Sequence, residues 1–151
     1  MLVYRIALPE YIEDLSGTGA KLYGGRWNEQ GTAVVYFASS RAMAIMELLV
    51  HLSGDDLDRD FSLAAFEVSD DKIEQVAIKD LPENWKEYEA ESFLKAIGHQ
   101  FIAKGNQLVL KVPSVLVEEE NNILMNPNHT DADKVKLISK RVFRFDRRLK
   151  D

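Results

Sequence analysis

From Ala42 to Leu52 the chain reads AMAIMELLVHL, and a single acid, Glu47, stands in that run. Wound at about 100° per residue, the run sets apolar side chains on every side, which predicts a core helix rather than a surface one. A carboxylate in a dry wall must be paired, hydrogen-bonded or protonated, because left charged and alone it costs several kcal/mol. Arg26, Arg41 and Arg5 are the candidate partners. The preceding stretch serves the same place: Gly24 and Gly25 form a turn that delivers Arg26 and Trp27, and a short apolar run then carries Tyr36.

A chain of 151 residues is expected to form one domain, spanning 1–151, with a sizeable core. Hydrophobic residues at 46% and charged ones at 29% fit a globular chain, neither disordered nor membrane-spanning. The longest apolar stretches fall short of the ~20 residues of a membrane helix, and MLVYRIALPE lacks the pattern of a signal peptide, so a cytoplasmic location is expected. The absence of cysteine removes disulfides, thiolate metal sites and cysteine nucleophiles together. A net charge of −6 argues against direct nucleic-acid binding, yet the stretch from Lys134 to Lys150 holds eight basic residues and one acid, Asp146, leaving −13 elsewhere. That stretch reads as a solvated edge strand kept soluble by its charges, or as a surface for an anion or an acidic partner protein.

In chain order, Val3 to Ala7 is a first strand carrying Arg5, and residues 11 to 25 read as a glycine-rich loop. Thr32 to Ala38, apolar on both faces, is a central strand, and Ser39 or Ser40 can cap the helix that follows. Phe61 to Val68 and Val76 to Ile78 are further strands. Tyr88 to Lys104 is a second helix with Phe93, Leu94, Ile97, Phe101 and Ile102 on one side and Gly105 as its stop. Gly98 inside it weakens the helix by about 1 kcal/mol, which points to close packing against a neighbour. Leu108 to Val112 is a strand followed by Pro113 and Ser114, Asn126 to Asn128 a turn, and Val135 to Ile138 and Val142 to Phe145 two closing strands. Strands with about two helices, not strictly alternating, indicate α+β.

His51, His99 and His129 are scattered, no phosphate loop or dinucleotide fingerprint is present, and Ser114 lacks a nucleophile-elbow context. Metal and serine-hydrolase chemistry are therefore poor fits. What remains is arginine, aromatic and glutamate around a glycine loop. Arginine forks bind phosphate, aromatic faces stack planar rings, and a buried carboxylate stabilises cationic charge growing on a sugar carbon. Cleavage of a nucleotide N-glycosidic bond, as in NAD, needs these groups. The competing reading makes Arg26 and Glu47 a buried structural ion pair and Tyr36 a core residue.

The sequence resembles the RES-domain toxins of bacterial toxin–antitoxin pairs, named for an arginine, a glutamate and a serine. The resemblance runs through Tyr4 and Arg5, SGTGA, GGRWN at Gly24 to Asn28, VVYFA at Val34 to Ala38 and ELLVH at Glu47 to His51. It continues in LPENW, Ile97 and Gly98, VPSVLV, NNILMNPNH at Asn121 to His129 and FDRRL at Phe145 to Leu149. Arg147 stands where the family usually has proline, and Thr130 follows His129 where proline is common; both lie away from the proposed site. The resemblance implies an ADP-ribosyltransferase-like core of strands with a few helices and an activity that degrades NAD, halting growth. It places the family's arginine, glutamate and serine on Arg26, Glu47 and Ser114, its functional tyrosine on Tyr36, and a second arginine on Arg5. The arginines would clamp phosphates, Tyr36 would border the nicotinamide, and Glu47 would hold the ribose and offset charge on its anomeric carbon. Ser114 would position the ribose or Glu47, or be a plain strand-end serine. NAD is then a substrate with no further cofactor, and the partner is an Xre-like helix-turn-helix antitoxin.

Hydrolysis or phosphorolysis of NAD and protein ADP-ribosylation differ in acceptor rather than in binding groups, and nucleotide binding without turnover uses the same groups with no acceptor, so the sequence leaves all three open. It also leaves open a homo- or hetero-oligomer.

Overall fold

The computed structural model describes residues 1–149, the side chain of Lys72 apart. Its order is β1 (Leu2–Ala7), α1 (Thr18–Tyr23), β2 (Val35–Ala38), α2 (Arg41–Leu49), β3 (Phe61–Glu67), β4 (Ile73–Gln75), α3 (Glu91–Lys104), β5 (Val109–Pro113), β6 (Asn121–Met125) and β7 (Lys136–Phe143), with short 3-10 turns between. The strands form a seven-stranded sheet in the order β4-β5-β6-β2-β1-β3-β7. Only β4 and β5 run parallel, so the sheet is mixed and the domain α+β, as the sequence indicates. No helix among the described residues is long and apolar enough to cross a membrane.

Register decides which side chains share a face. Tyr36 lies opposite Leu124 and Ala38 opposite Asn122, while Leu110 and Val112 oppose the same two β6 residues from the other side. Alternation therefore gathers Tyr36, Ala38, Leu110, Val112, Asn122 and Leu124 on one face. Helix α3 covers one part of that face through Leu94 and Phe101, together with Trp27 and Trp85, and α2 covers another through Met43 and Ala44. The opposite face supplies a second core of Val3, Val35, Phe37, Phe66, Val109, Ile123 and Met125, closed by Ile12. Asn122 thus sits on the helix-covered face, a polar side chain among apolar ones.

Several expectations hold in detail. Ser40 caps α2 by accepting from the Met43 amide at 3.1 Å, and β2 is the middle strand of the sheet. Gly105 ends α3 with φ of 61°, a left-handed value that glycine adopts at little cost. The Lys134 to Lys150 stretch does contain an edge strand, with seven of the eight β7 residues exposed; Lys150 itself lies outside the described residues. Five of its basic side chains meet acids of the same chain: Lys134 with Asp131, Lys140 with Glu13, Arg144 with Asp60, Arg147 with Asp58 and Arg148 with Asp146. That internal neutralisation favours the solvated-edge reading over an acidic docking surface.

Other expectations are corrected. The supposed loop over residues 11 to 25 contains α1, whose flanking Gly17 and Gly24 take positive φ while the turn between them winds. The short strand is Ile73–Gln75, with Ile78 in a 3-10 turn. Strand β6 is unforeseen, because two asparagines at its start disguise it. The two closing strands are one, bulged at Ala65 and Phe66 of its partner β3. Helix α2 is not buried all round: Met46 is 40% exposed, and Val50 at its C-cap 55%. Phe93, placed on the apolar side of α3, is 48% exposed.

Candidate active site

Strands β1 and β2 are neighbours in the sheet, yet their register comprises the single pair Tyr4 and Ala38. Beyond that pair the strands diverge, and a cavity of about 1270 Å³ opens where they part. Its walls include Tyr4 to Ala7 of β1 and Val34 to Ala38 at β2. Strand edges that lose their partner present N–H and C=O groups that a polar ligand can satisfy.

Glu47 lines this cavity from α2. Its Oε1 accepts two hydrogen bonds, from Ser114 Oγ at 2.8 Å and from Asn122 Nδ2 at 2.8 Å. The expected arginine partners are corrected here: among the described residues neither Arg5, Arg26 nor Arg41 pairs with Glu47, and Arg41 instead lies 4.6 Å over the Tyr4 ring. Ser114 is fully buried, just past β5, and does not line the cavity. Its oxygen also accepts from the backbone amides of Leu116 at 3.0 Å and Val117 at 3.4 Å. A hydroxyl has one proton and two lone pairs, so with both lone pairs engaged the proton is committed to Glu47. Ser114 therefore holds the carboxylate.

The glycine turn is anchored from below. Tyr36 donates its hydroxyl proton to Asn28 Oδ1 at 2.7 Å and accepts from the Trp27 amide at 3.3 Å. Burial raises the phenol's pKa well above its ordinary value of 10, so it stays a neutral donor. Asn28, 1% exposed, passes the anchoring on by donating to the carbonyls of Ala20, Glu29 and Thr32. A Cβ at Gly25 would stand 2.8 Å from both Tyr36 Oη and Asn28 Oδ1, so glycine is what lets the tyrosine reach the turn. Between these fixed residues Arg26 projects into the cavity wall, half-buried, with one long contact to the Lys86 carbonyl at 3.4 Å. Among the described residues that leaves most of its donor fork uncommitted.

Arg5 enters the same cavity from β1. Its Nη1 donates to the carbonyls of Asp14 at 2.5 Å and Ile12 at 3.4 Å, tying down the segment before α1. Burial pulls its guanidinium below the ordinary value, with the charge of Asp14 acting in the opposite direction. Arg5, Arg26, Tyr36 and Glu47 thus line one cavity, with Ser114 behind Glu47. The alternative of a sealed Arg26–Glu47 ion pair is excluded by the partners these residues have. His51 also lines the cavity, at its exposed rim, whereas buried His129 accepts from the Asp131 amide at 3.0 Å and locks a turn. Sequence reasoning overlooked Asn28 and Asn122. Both stand among polar neighbours, Asn28 before Glu29 and Gln30 and Asn122 after Glu120 and Asn121, so only a partner across the fold gives them meaning.

The α+β fold, a seven-stranded mixed sheet with a few helices, matches that of a solved protein. A chain of the Mycobacterium tuberculosis MbcT–MbcA toxin–antitoxin complex superposes with a TM-score of 0.77 at 18% identity, over 95% of this chain and 84% of that one. Residues 2–147 match the RES domain, and the chain belongs to the RES-domain family. Similar relatives are a protein named Toxin Res from Photorhabdus laumondii, 36% identical over 99% of this chain and 97% of its own, and one of the same name from Yersinia enterocolitica, 39% identical over 99% and 100%. A protein named Prs ADP-ribosylating toxin, from a Sphingobium species, is 41% identical over 91% of this chain and 87% of its own.

Proposed function

We propose that this chain is the toxin of a toxin–antitoxin pair and that it cleaves the bond between nicotinamide and ribose in NAD. The observation that carries this reading is Glu47: a carboxylate held by Ser114 and Asn122 in the wall of a cavity that also receives two arginines. Arg5 and Arg26 would take the pyrophosphate, the groove beside Tyr36 the nicotinamide, and Glu47 Oε2 a ribose hydroxyl. When the C1′–N1 bond breaks, its electron pair moves to the nicotinamide nitrogen and neutralises the pyridinium, so no acid is needed to protonate the leaving group. Positive charge then grows on C1′ and its ring oxygen, where a fixed carboxylate stabilises it. Water or inorganic phosphate attacks C1′ and releases its proton to solvent. Relatives named as toxins support the biological role, and the antitoxin is expected to be an Xre-like helix-turn-helix protein that covers the cavity in the cytoplasm.

The Sphingobium relative's name favours a second reading, transfer of ADP-ribose to a protein. Purified protein incubated with NAD labelled in the adenosine moiety separates the two. Free nicotinamide with labelled ADP-ribose or its 1-phosphate supports NAD degradation, whereas label on protein supports transfer. Unchanged NAD with the antitoxin removed overturns both. Glu47→Ala should lower the rate on the order of a hundredfold or more with the fold retained.

A further inference from the structure

Asn122 joins no motif assigned to chemistry, yet it is placed where the carboxylate is decided. It lies on β6, in register with Ala38 on one side and Val112 on the other, and its side chain reaches the cavity. We infer that Asn122 is the positioning residue that turns the Glu47 carboxylate into the cavity, by fixing Oε1 and leaving Oε2 to face the ligand. This rests on the proposed NAD reading for its kinetic consequence but not for its structural one.

Ser114 and Asn122 approach one oxygen, Oε1, each at 2.8 Å, and among the described residues Oε2 has no protein donor in its hydrogen bonds. The two donors come from different strands, β6 and the end of β5, while the carboxylate comes from α2. One donor would leave Glu47 able to swing about its terminal bond. Two donors from separate directions fix the plane of the group, as supporting hydrogen bonds do for reactive side chains in general. Both are obliged to donate. Ser114 has spent its acceptors on Leu116 and Val117, and the amide of Asn122 must turn its nitrogen to the carboxylate because its oxygen would be repelled. Asn122 also explains why a strand this central carries an asparagine on a face otherwise packed with apolar residues.

Asn122→Ala and the nearly isosteric Asn122→Asp test this, the second keeping the volume but offering no donor. In crystals of either variant the Glu47 carboxylate should leave its wild-type orientation, with Oε1 displaced from Ser114. With NAD, kcat should fall about tenfold to a hundredfold while KM stays within about twofold and Tm stays close to wild type. In a Glu47→Gln background, followed with enzyme in excess, Asn122→Ala should add no further loss. A carboxylate unmoved in the Asn122→Ala crystal overturns the inference, as does a rise in KM at unchanged kcat. Wild-type protein that leaves NAD intact overturns the proposed reaction instead, and the crystal result still decides what Asn122 does.

Discussion

Gly98 of α3 lies directly against the backbone of Trp27: a Cβ at this position would stand 1.7 Å from the Trp27 carbonyl oxygen. The contact is with main chain, which cannot rotate away, so the helix and the glycine turn that delivers Arg26 are in effect one unit. In an unconstrained helix alanine would gain ~1 kcal/mol over glycine. Here Gly98→Ala must push the turn or the helix aside, and we expect a loss of about 3 kcal/mol in urea unfolding. NAD consumption should fall with it, because Arg26 moves. A Gly98→Ala protein as stable as wild type would show that the two elements do not touch.

Gly98 also illustrates what could be read without coordinates. A glycine in the middle of a helical pattern announces a close neighbour, and the periodicity of residues 88 to 104 announces a helix, observed over Glu91–Lys104, but the neighbour's identity is a tertiary fact. Glu47 was legible for the same reason, as one acid in an apolar run. Its partners were misassigned because arginine is the usual expectation for a buried acid, whereas here neutral donors serve and the arginines remain available to a ligand. Strand β6 was hidden by Asn121 and Asn122, whose propensity opposes a strand. The site thus overrode local preference, which is why local preference could not find it.

Tyr36 gives a prediction in pH. Burial raises its folded pKa above the ordinary 10, so the folded state favours the neutral phenol. The sign follows from linkage: the contribution is fully present below pH 10 and is lost as pH rises from the unfolded value toward the higher folded one. Thermal unfolding followed between pH 8 and 11.5 should show Tm declining above about pH 10 in the wild-type protein. Tyr36→Phe should start lower, having lost the bonds to Trp27 and Asn28, and decline less steeply. Parallel curves for the two proteins would remove Tyr36 from the alkaline transition.

Arg5 serves two partners through one nitrogen, the carbonyls of Ile12 and Asp14. The residue also lines the cavity, and in the proposed reaction its remaining donors would take the pyrophosphate. Arg5→Lys keeps the charge but not the fork, and a single ammonium cannot hold both carbonyls and a phosphate. The expected outcome is a KM for NAD raised about tenfold, the loss of one charge-assisted bond, together with faster protease cleavage in residues 12 to 17. Cleavage without a change in KM would confine Arg5 to holding the loop.

Ser114 separates two chemistries that a serine in a family motif invites. Were it a nucleophile, its removal would cost about a millionfold in kcat, as in enzymes whose serine forms the covalent intermediate. Its hydroxyl is instead committed to Glu47 Oε1 while it accepts from Leu116 and Val117, and it does not line the cavity. Ser114→Ala should therefore slow NAD consumption only about tenfold to a hundredfold, since Glu47 keeps one of its two donors, Asn122, and is loosened rather than lost. Stability should fall by about 1 kcal/mol, because the amides of Leu116 and Val117 lose their side-chain acceptor. Combining the change with Asn122→Ala removes both donors, and the double variant should approach the rate of Glu47→Ala. A Ser114→Ala protein with no measurable turnover and an unshifted Glu47 in its crystal structure would return the serine to the reaction itself.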